Sequence, residues 1–275
     1  MLNALFESLL PSLSPFYTFG TVIWNLMLKL IGAAVGQTPD TYSQLAWGYV
    51  QYEIYPWMLA IGQSLLVTFA MVGYLRQAGD IKRDMTLEAL VDCGIKLILA
   101  SALMVSGLDL MQLLFSMAAR LSGGILTSTP VIYMQLDMDV GAFLFYLFFG
   151  FLYFMVCLVC AGMIFLAVYG RFLNLYLLVL SAPIAMSTLP GGQGMSQTAY
   201  AWLRTFLAKT FEIVLIALAI VIGSRLSNLI DFGHLEGVAG IFDGAIQALQ
   251  NLSTMILLTA SIKGMDVFMK RTFAL

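Results

Sequence analysis

The chain has 275 residues, of which 61% are hydrophobic and only 10% charged, with a formal net charge of -2. Globular domains carry about 25% charged residues, so this composition and a mean hydropathy of +0.93 exclude an ordinary soluble globule and indicate a polytopic membrane protein. The near-neutral balance also excludes a broad basic surface of the kind that grips nucleic acid, so any contact with a polyanion has to be local.

Residues 1–53 read as an N-terminal amphipathic, interfacial segment and 54–275 as the membrane-embedded helical domain. The start lacks the positive n-region of a signal peptide: Glu7 is the first charge, Lys29 the first cation, and Pro11 and Pro15 interrupt it. A helix is predicted from about Phe16 to Val35. Along it Thr18, Thr21, Asn25 and Lys29 form one narrow polar stripe, with Phe16, Phe19, Ile23, Met27 and Leu30 around the rest. Its length allows a crossing, while the stripe fits a helix lying in the interface or on the rim of a bundle. Trp47, Tyr49, Tyr52, Tyr55 and Trp57 then cluster as an expected interfacial belt.

The first full span is Ile54 to Leu75, 22 residues without charge, which exits into Arg76, Lys82 and Arg83. A basic exit marks the cytoplasmic side. The second span follows Asp84 as its N-cap. Asp92 and Lys96 stand at i,i+4 in the favourable order and read as a helix-end pair. Asp109, Gln112, Ser116 and Arg120 make a stripe at helical spacing, and Asp109 interrupts an otherwise apolar run, so its carboxylate is expected to face protein or water. From Leu121 to Asp139 there is no Lys or Arg, which fits an outer loop. The third span, within Val140 to Gly170, holds 31 uncharged residues and is expected to end at Arg171. Cys157 and Cys160 have a redox or metal spacing but no neighbouring histidine, and read as helix packing.

Phe172 to Leu203 is a further 32 residues without charge, punctuated by Ala182-Pro183 and by Pro190-Gly191-Gly192. Non-helical backbone at membrane depth has to be buried in protein or line water. These five residues are therefore predicted as a broken-helix element that enters from the cytoplasm, breaks near Pro183 and returns. On that basis nine Lys and Arg (76, 82, 83, 171, 204, 209, 263, 270, 271) fall inside and three (29, 120, 225) outside. The expected fold class is all-α: a polytopic transmembrane bundle of about five full spans, one re-entrant or broken hairpin and an N-terminal amphipathic helix. The N-terminus is expected outside and the C-terminus in the cytoplasm.

The last two spans are expected to form an antiparallel pair turning near Ile230 to His234. Thr205, Lys209, Glu212, Ala219 and Gly223 share one face of the first. Asp243, Gln247, Gln250, Asn251, Thr254 and Ser261 share one face of the second. A fold about residue 232 or 233 would set Glu212 level with Asn251 and Thr254. Two readings stay open for these residues and for Asp109: polar packing between helices, at about 0.6 kcal/mol per contact, or the lining of a hydrated path, because Lys209 and Glu212 are costly in lipid.

Enzyme chemistry finds little footing. His234 is the only histidine and is expected in an outer loop, so there is no haem pair and no HExxH zinc helix, and no Ser/His/Asp set is expected around a histidine so placed. Residues 190–194 lack a following lysine to cradle phosphate and read as a turn. No catalytic, cofactor-binding or metal-ligating residue is expected, and no cofactor.

Arg171 after a long aromatic span, a hydrophobic stretch closing in Ser181-Ala182-Pro183-Ile184-Ala185, a Gly-rich gap and Tyr200-Ala201-Trp202-Leu203-Arg204 opening the next helix together resemble the TrbL family over about 55 residues, 171–225. That family comprises the polytopic inner-membrane subunits of type IV secretion and conjugation machines, counterparts of the sixth VirB protein. Many relatives carry a large extracytoplasmic domain where residues 121–139 give only a short loop. The resemblance implies a structural channel or platform subunit in a bacterial cytoplasmic membrane, assembled as a ring of identical copies. Its partners would be the lipid bilayer, other secretion-channel subunits and the transfer ATPases, with single-stranded DNA or a DNA–protein substrate in transit. Arg76, Lys82, Arg83, Lys270 and Arg271 would form a cytoplasmic basic rim, facing those partners or anionic lipid. The alternatives are a small-solute permease with its site at the broken helix near Pro183, and a membrane anchor that only docks soluble enzymes.

Overall fold

A computed structural model describes residues 15–79, 87–127, 140–192, 194–227 and 243–273, and every regular element among them is helical. Helix α1 spans Pro15–Val35. Two short helices, α2 (Pro39–Tyr42) and α3 (Gln44–Gly48), lead through a π-helical turn at Tyr49–Ile54 into α4 (Tyr55–Gly79). Then come α5 (Leu87–Thr127), α6 (Val140–Ser187), a 3-10 turn at Leu189–Gly191, α7 (Ser196–Ser227) and α8 (Asp243–Thr272). Among the described residues six stretches are long and apolar enough to cross a membrane: Pro15–Val35, Gln44–Arg76, Val91–Thr127, Phe145–Gly191, Ser196–Gly223 and Ala245–Thr272. The chain is an all-α, multi-pass membrane protein. Lys82, Arg83, Asp84, residues 128–139 and the expected turn at 230–234 with His234 lie outside the described residues.

The described chain forms two compact units. One contains residues 15–36, 121–127, 140–170, 213–227 and 243–267; the other contains 37–79, 87–120, 171–192, 194–212 and 268–273. The division by packing therefore falls within helices.

In the first unit α1 buries Tyr17, Gly20, Thr21, Trp24, Leu28, Ile31, Ala34 and Val35. This differs from the expected stripe. Thr21 joins the buried face because its hydroxyl donates back to the Tyr17 and Thr18 carbonyls, while Phe16, Phe19, Val22, Leu26 and Leu30 are exposed along with Lys29. The Tyr17 ring stacks on Tyr146 at 3.5 Å between centroids and lies 5.0 Å from Tyr153. A Cβ at Gly20 would come within 3.3 Å of Cys157 Sγ and Tyr153, so α1 runs close beside α6 and parallel to it. Ser122 Oγ donates to the Val35 carbonyl at 2.8 Å, satisfying one of the carbonyls a helix end leaves open. Cys157 and Cys160 are both buried, with Cys157 Sγ 3.4 Å from Met255 Sδ.

The same unit sets the register of α7 against α8. Leu258 Cδ1 is the nearest atom to a Cβ built on Gly223, at 3.7 Å. A fold about residue 232 or 233 would have put Gly223 opposite residues near 242, so the pair is shifted by about four turns at 3.6 residues each. The sequence offered only two polar faces to align, and polar faces carry little register information when small apolar residues pack between them.

The second unit has its core in Trp47, Val50, Tyr55, Met111, Phe115, Leu175, Val179, Ala182 and Phe206. The expected aromatic belt therefore splits: Trp47 and Tyr55 are buried, whereas Tyr49, Tyr52 and Trp57 are exposed. The π-helical turn between them rephases the helix by one residue, turning Trp47 and Val50 inward ahead of Tyr55. Tyr55 then donates its hydroxyl to the Met104 carbonyl on α5 at 3.3 Å.

The largest correction concerns α6. Its 48 residues run unbroken through Arg171 and Pro183, about 72 Å at 1.5 Å per residue against a hydrocarbon core of about 30 Å. Residues 172–187 are the last third of one long helix, which neither ends at Arg171 nor breaks at Pro183. A proline in a membrane helix is tolerated where neighbouring groups re-satisfy the freed backbone. Pro183 leaves the Val179 carbonyl without its helix donor, and just before it Trp202 Nε1 on α7 donates to the Leu178 carbonyl and to Ser181 Oγ, both at 3.1 Å, tying this part of α6 to α7.

Candidate functional site

Arg171, set mid-helix on α6, is 3% exposed. Its Nε donates to the Lys209 carbonyl at 3.1 Å and its Nη2 to the Thr210 carbonyl at 3.3 Å, both on α7. A carbonyl oxygen has two lone pairs, so these helix carbonyls can take the guanidinium donors beside their own N–H. The Phe172 ring centroid lies 5.4 Å from the guanidinium carbon, within cation–π range. Glu212, one turn along α7, is 5% exposed. Its Oε2 accepts from Lys209 Nζ at 3.0 Å, and its charge also acts on Arg171.

The cluster thus holds two cations and one carboxylate in a largely dehydrated place. Arg171 Nη1 and Thr210 Oγ1 have no hydrogen-bond partner among the described residues. Lys209 and Glu212 were legible as a costly pair. Arg171 was not, because a basic residue after an apolar run reads as a span end by the orientation rule. The available signal was its isolation as the one cation between Arg120 and Arg204, which by the cost of intramembrane charge is itself a reason to look for a partner.

The second part of the site is the turn joining α6 to α7. Ala182 and Pro183 are helical and buried; Pro190 and Gly191 form the 3-10 turn; Gly192 follows at φ +84°. The chain reverses at 188–195, a few residues after the expected point, because this is where L-residue backbone gives out: Gly192 and Gly194 (φ +96°) adopt conformations that favour glycine. Ser187 and Thr188 hydroxyls donate to the Ile184 and Ala185 carbonyls at 2.6 and 2.7 Å, closing the end of α6.

This turn is docked on α4 through two glycines that the sequence reading did not single out. A Cβ at Gly62 would lie 2.8 Å from both Pro183 Cβ and the Pro183 carbonyl oxygen, and one at Gly73 would land on the Pro190 carbonyl oxygen. Gly62, Leu66, Ala70 and Gly73 are buried along one face of α4, at the spacing of a helical stripe. Small residues let helix backbones approach in membranes, and the pairings (62 with 183, 73 with 190) make α4 parallel to the end of α6.

Beside Pro183 is a cavity of about 70 Å³ walled by Tyr55, Met104, Gly107, Met186, Trp202 and Phe206 among others. Its walls are almost wholly apolar, and such cavities stay dry. Pro183→Ala returns an N–H to the Val179 carbonyl and keeps the Cβ that meets Gly62. It is expected to hold or slightly raise the thermal midpoint of the protein in detergent; a fall of many degrees would mean that the proline ring itself holds the turn.

The other expected site residues are dispersed. Asp109 is exposed on α5, Arg76 is exposed near the end of α4, and Lys270 and Arg271 are exposed in the last turn of α8. Gln247, Asn251 and Thr254 are half-buried on α8 in the unit that does not contain Glu212, and Thr254 Oγ1 donates back to the Gln250 carbonyl at 2.9 Å. Lys96 and Asp92 pair at 2.6 Å on an exposed face of α5, as a helix-end pair should. Among the described residues no three His, Cys, Asp or Glu are grouped to hold a metal. No protein-family model, curated protein or solved structure matches the chain. Its functional reading accordingly rests on its own residues: a buried guanidinium that ties α6 to α7, and a turn seated on α4.

Proposed function

We propose that the chain is a structural channel or platform subunit of a type IV secretion machine that transfers DNA across a bacterial cytoplasmic membrane. The observation that supports this best is the packing of residues 171–212, the greater part of the stretch that resembles the TrbL family. They form one tied hairpin, held by Arg171 across its arms and seated on the α4 glycines at its turn. The element is built for rigidity and for joining helices, as a passive component of a larger conduit requires. Energy comes from partner ATPases, since the sequence has no nucleotide-binding loop.

In the proposed orientation the α6–α7 turn faces the cytoplasm. Gly73, which meets Pro190, is three residues before the exposed Arg76, so the turn shares its end with a basic helix exit, and basic exits lie inside. Five crossings follow: α4 inward, α5 outward, α6 inward, α7 outward and α8 inward, ending with Lys270 and Arg271 in the cytoplasm. Because α6 itself reaches the turn, the expected crossing number holds without a separate re-entrant segment. The N-terminus is proposed outside, with α1 packed along α6. Copies assemble as a ring with other channel subunits around a DNA or DNA–protein substrate.

Deletion of the gene in a donor cell is expected to abolish DNA transfer to recipients, and a plasmid-borne copy to restore it; transfer at an unchanged frequency would refute the assignment. The permease alternative loses support from the apolar walls beside Pro183, which offer a polar solute no partner.

A further inference from the structure

Between α6 and α8 in the first unit runs a groove of about 460 Å³, lined by Met155, Val159, Cys160 and Met163 on one side and by Ile256, Thr259, Ala260 and Lys263 on the other. Its surface is almost wholly apolar, and Thr259 presents little polarity because its hydroxyl donates to the Met255 carbonyl at 2.7 Å. The lining residues on α8, 256, 259, 260 and 263, follow the i, i+3, i+4, i+7 stripe of one helix face, so the groove follows the helix for two turns and finishes at a cation. Lys263 is exposed and makes no ion pair among the described residues.

We infer that this groove binds an anionic phospholipid, with an acyl chain between α6 and α8 and the phosphate at Lys263. Three observations converge on that occupant. The chain is a multi-pass membrane protein, so hydrocarbon is the solvent that meets an open apolar groove. The groove's volume, about 460 Å³, lies within the range of about 300–1,000 Å³ found for pockets that take a small molecule. The one charge sits at an end of the groove, where a lipid carries its headgroup, and a lysine stem can lie along apolar surface with its ammonium reaching the polar layer. The inference does not depend on the secretion role; a subunit of any membrane assembly could hold lipid here.

The test uses the full chain purified in mild detergent and titrated with phosphatidylglycerol or phosphatidylcholine of identical acyl chains, reading the thermal midpoint and the lipid retained in native mass spectra. The wild-type protein is expected to retain and be stabilised by both, with a preference for phosphatidylglycerol of about fivefold, the factor one basic residue gives beside an anionic surface. Lys263→Gln is expected to erase the preference while keeping chain binding. Val159→Trp and Ala260→Trp, both at exposed positions where folding is insulated from the change, are expected to fill the groove and remove the response to either lipid. Lipid responses unchanged in both tryptophan variants would overturn the site. A wild-type protein without headgroup preference would overturn the role of Lys263. Loss of oligomers in the tryptophan variants, with no lipid retained by the wild type, would make a second copy of this chain the occupant and overturn the proposal.

Discussion

Glu212→Leu is expected to destabilise the protein by about 3–5 kcal/mol, the usual result of removing one partner from a buried charge group. Glu212 is 5% exposed and is the acid whose charge reaches both Lys209 and Arg171. Without it two cations remain. Lys209, with its side chain 18% exposed, can swing its ammonium toward water or headgroups. Arg171 cannot, because its Nε and Nη2 are committed to α7 carbonyls and its Nη1 has no partner among the described residues even in the intact cluster. The loss therefore falls on the guanidinium, and the α6–α7 tie is where it is felt.

The reverse substitution separates this account from a simple packing effect. Arg171→Met alone leaves Glu212 its Lys209 partner and should cost less than Glu212→Leu. Introduced into the Glu212→Leu background, it removes the stranded charge and should recover part of the loss, a coupling of about 0.5–3 kcal/mol. Arg171→Lys is not a conservative replacement here, since a point charge cannot reproduce a planar fork that reaches two carbonyls. Thermal midpoints of the four combinations in one detergent measure the cycle. Strict additivity would show that Arg171 and Glu212 do not sense each other.

What the sequence disclosed and what it hid divide along one physical line. Hydropathy reports the solvent, and so the helical membrane class, the positions of the long helices and the cost of Lys209 and Glu212 in lipid were legible from composition and spacing. Helix continuity was not. Arg171 and Pro183 are both residues that by local rule end or break a span, yet both stand inside α6, the first bonded to the Lys209 and Thr210 carbonyls and the second just after a segment that Trp202 ties to α7. Tertiary partners of this kind leave no local trace. The same holds for α1, where the polar stripe pointed one way and the aromatic pair Tyr17 and Trp24 decided the other, because burying large rings outweighs hiding a threonine that can bond its own backbone.

Glycines hid the seat of the turn most completely, and they give the second large effect. In an exposed helix interior, replacing Gly by Ala gains about 0.8–1.0 kcal/mol of helix propensity. Gly94 has nothing within 4 Å of where a Cβ would stand, so Gly94→Ala is expected to raise the thermal midpoint. At Gly73 the same methyl would occupy the position of the Pro190 carbonyl oxygen, and at Gly62 it would lie 2.8 Å from the Pro183 carbonyl oxygen and ring. These neighbours are backbone and proline and cannot rotate away, so the sign reverses. Overpacking of this kind costs about 1–3 kcal/mol, occasionally more, and Gly73→Ala should sit at the upper end because the α6–α7 turn has to leave α4 altogether. Gly20→Ala, at 3.3 Å from a cysteine sulfur and a tyrosine ring, should fall between, since side chains can yield by a few tenths of an ångström. The ordering, Gly94→Ala above wild type, then Gly20→Ala, then Gly62→Ala and Gly73→Ala, is read from thermal midpoints in detergent. If Gly73→Ala behaved like Gly94→Ala, the turn would not be seated on α4. If it lost stability as expected while the protein still reached the membrane, DNA transfer in the complemented donor should fall with it, because the displaced turn is the part proposed to face the partners in the cytoplasm.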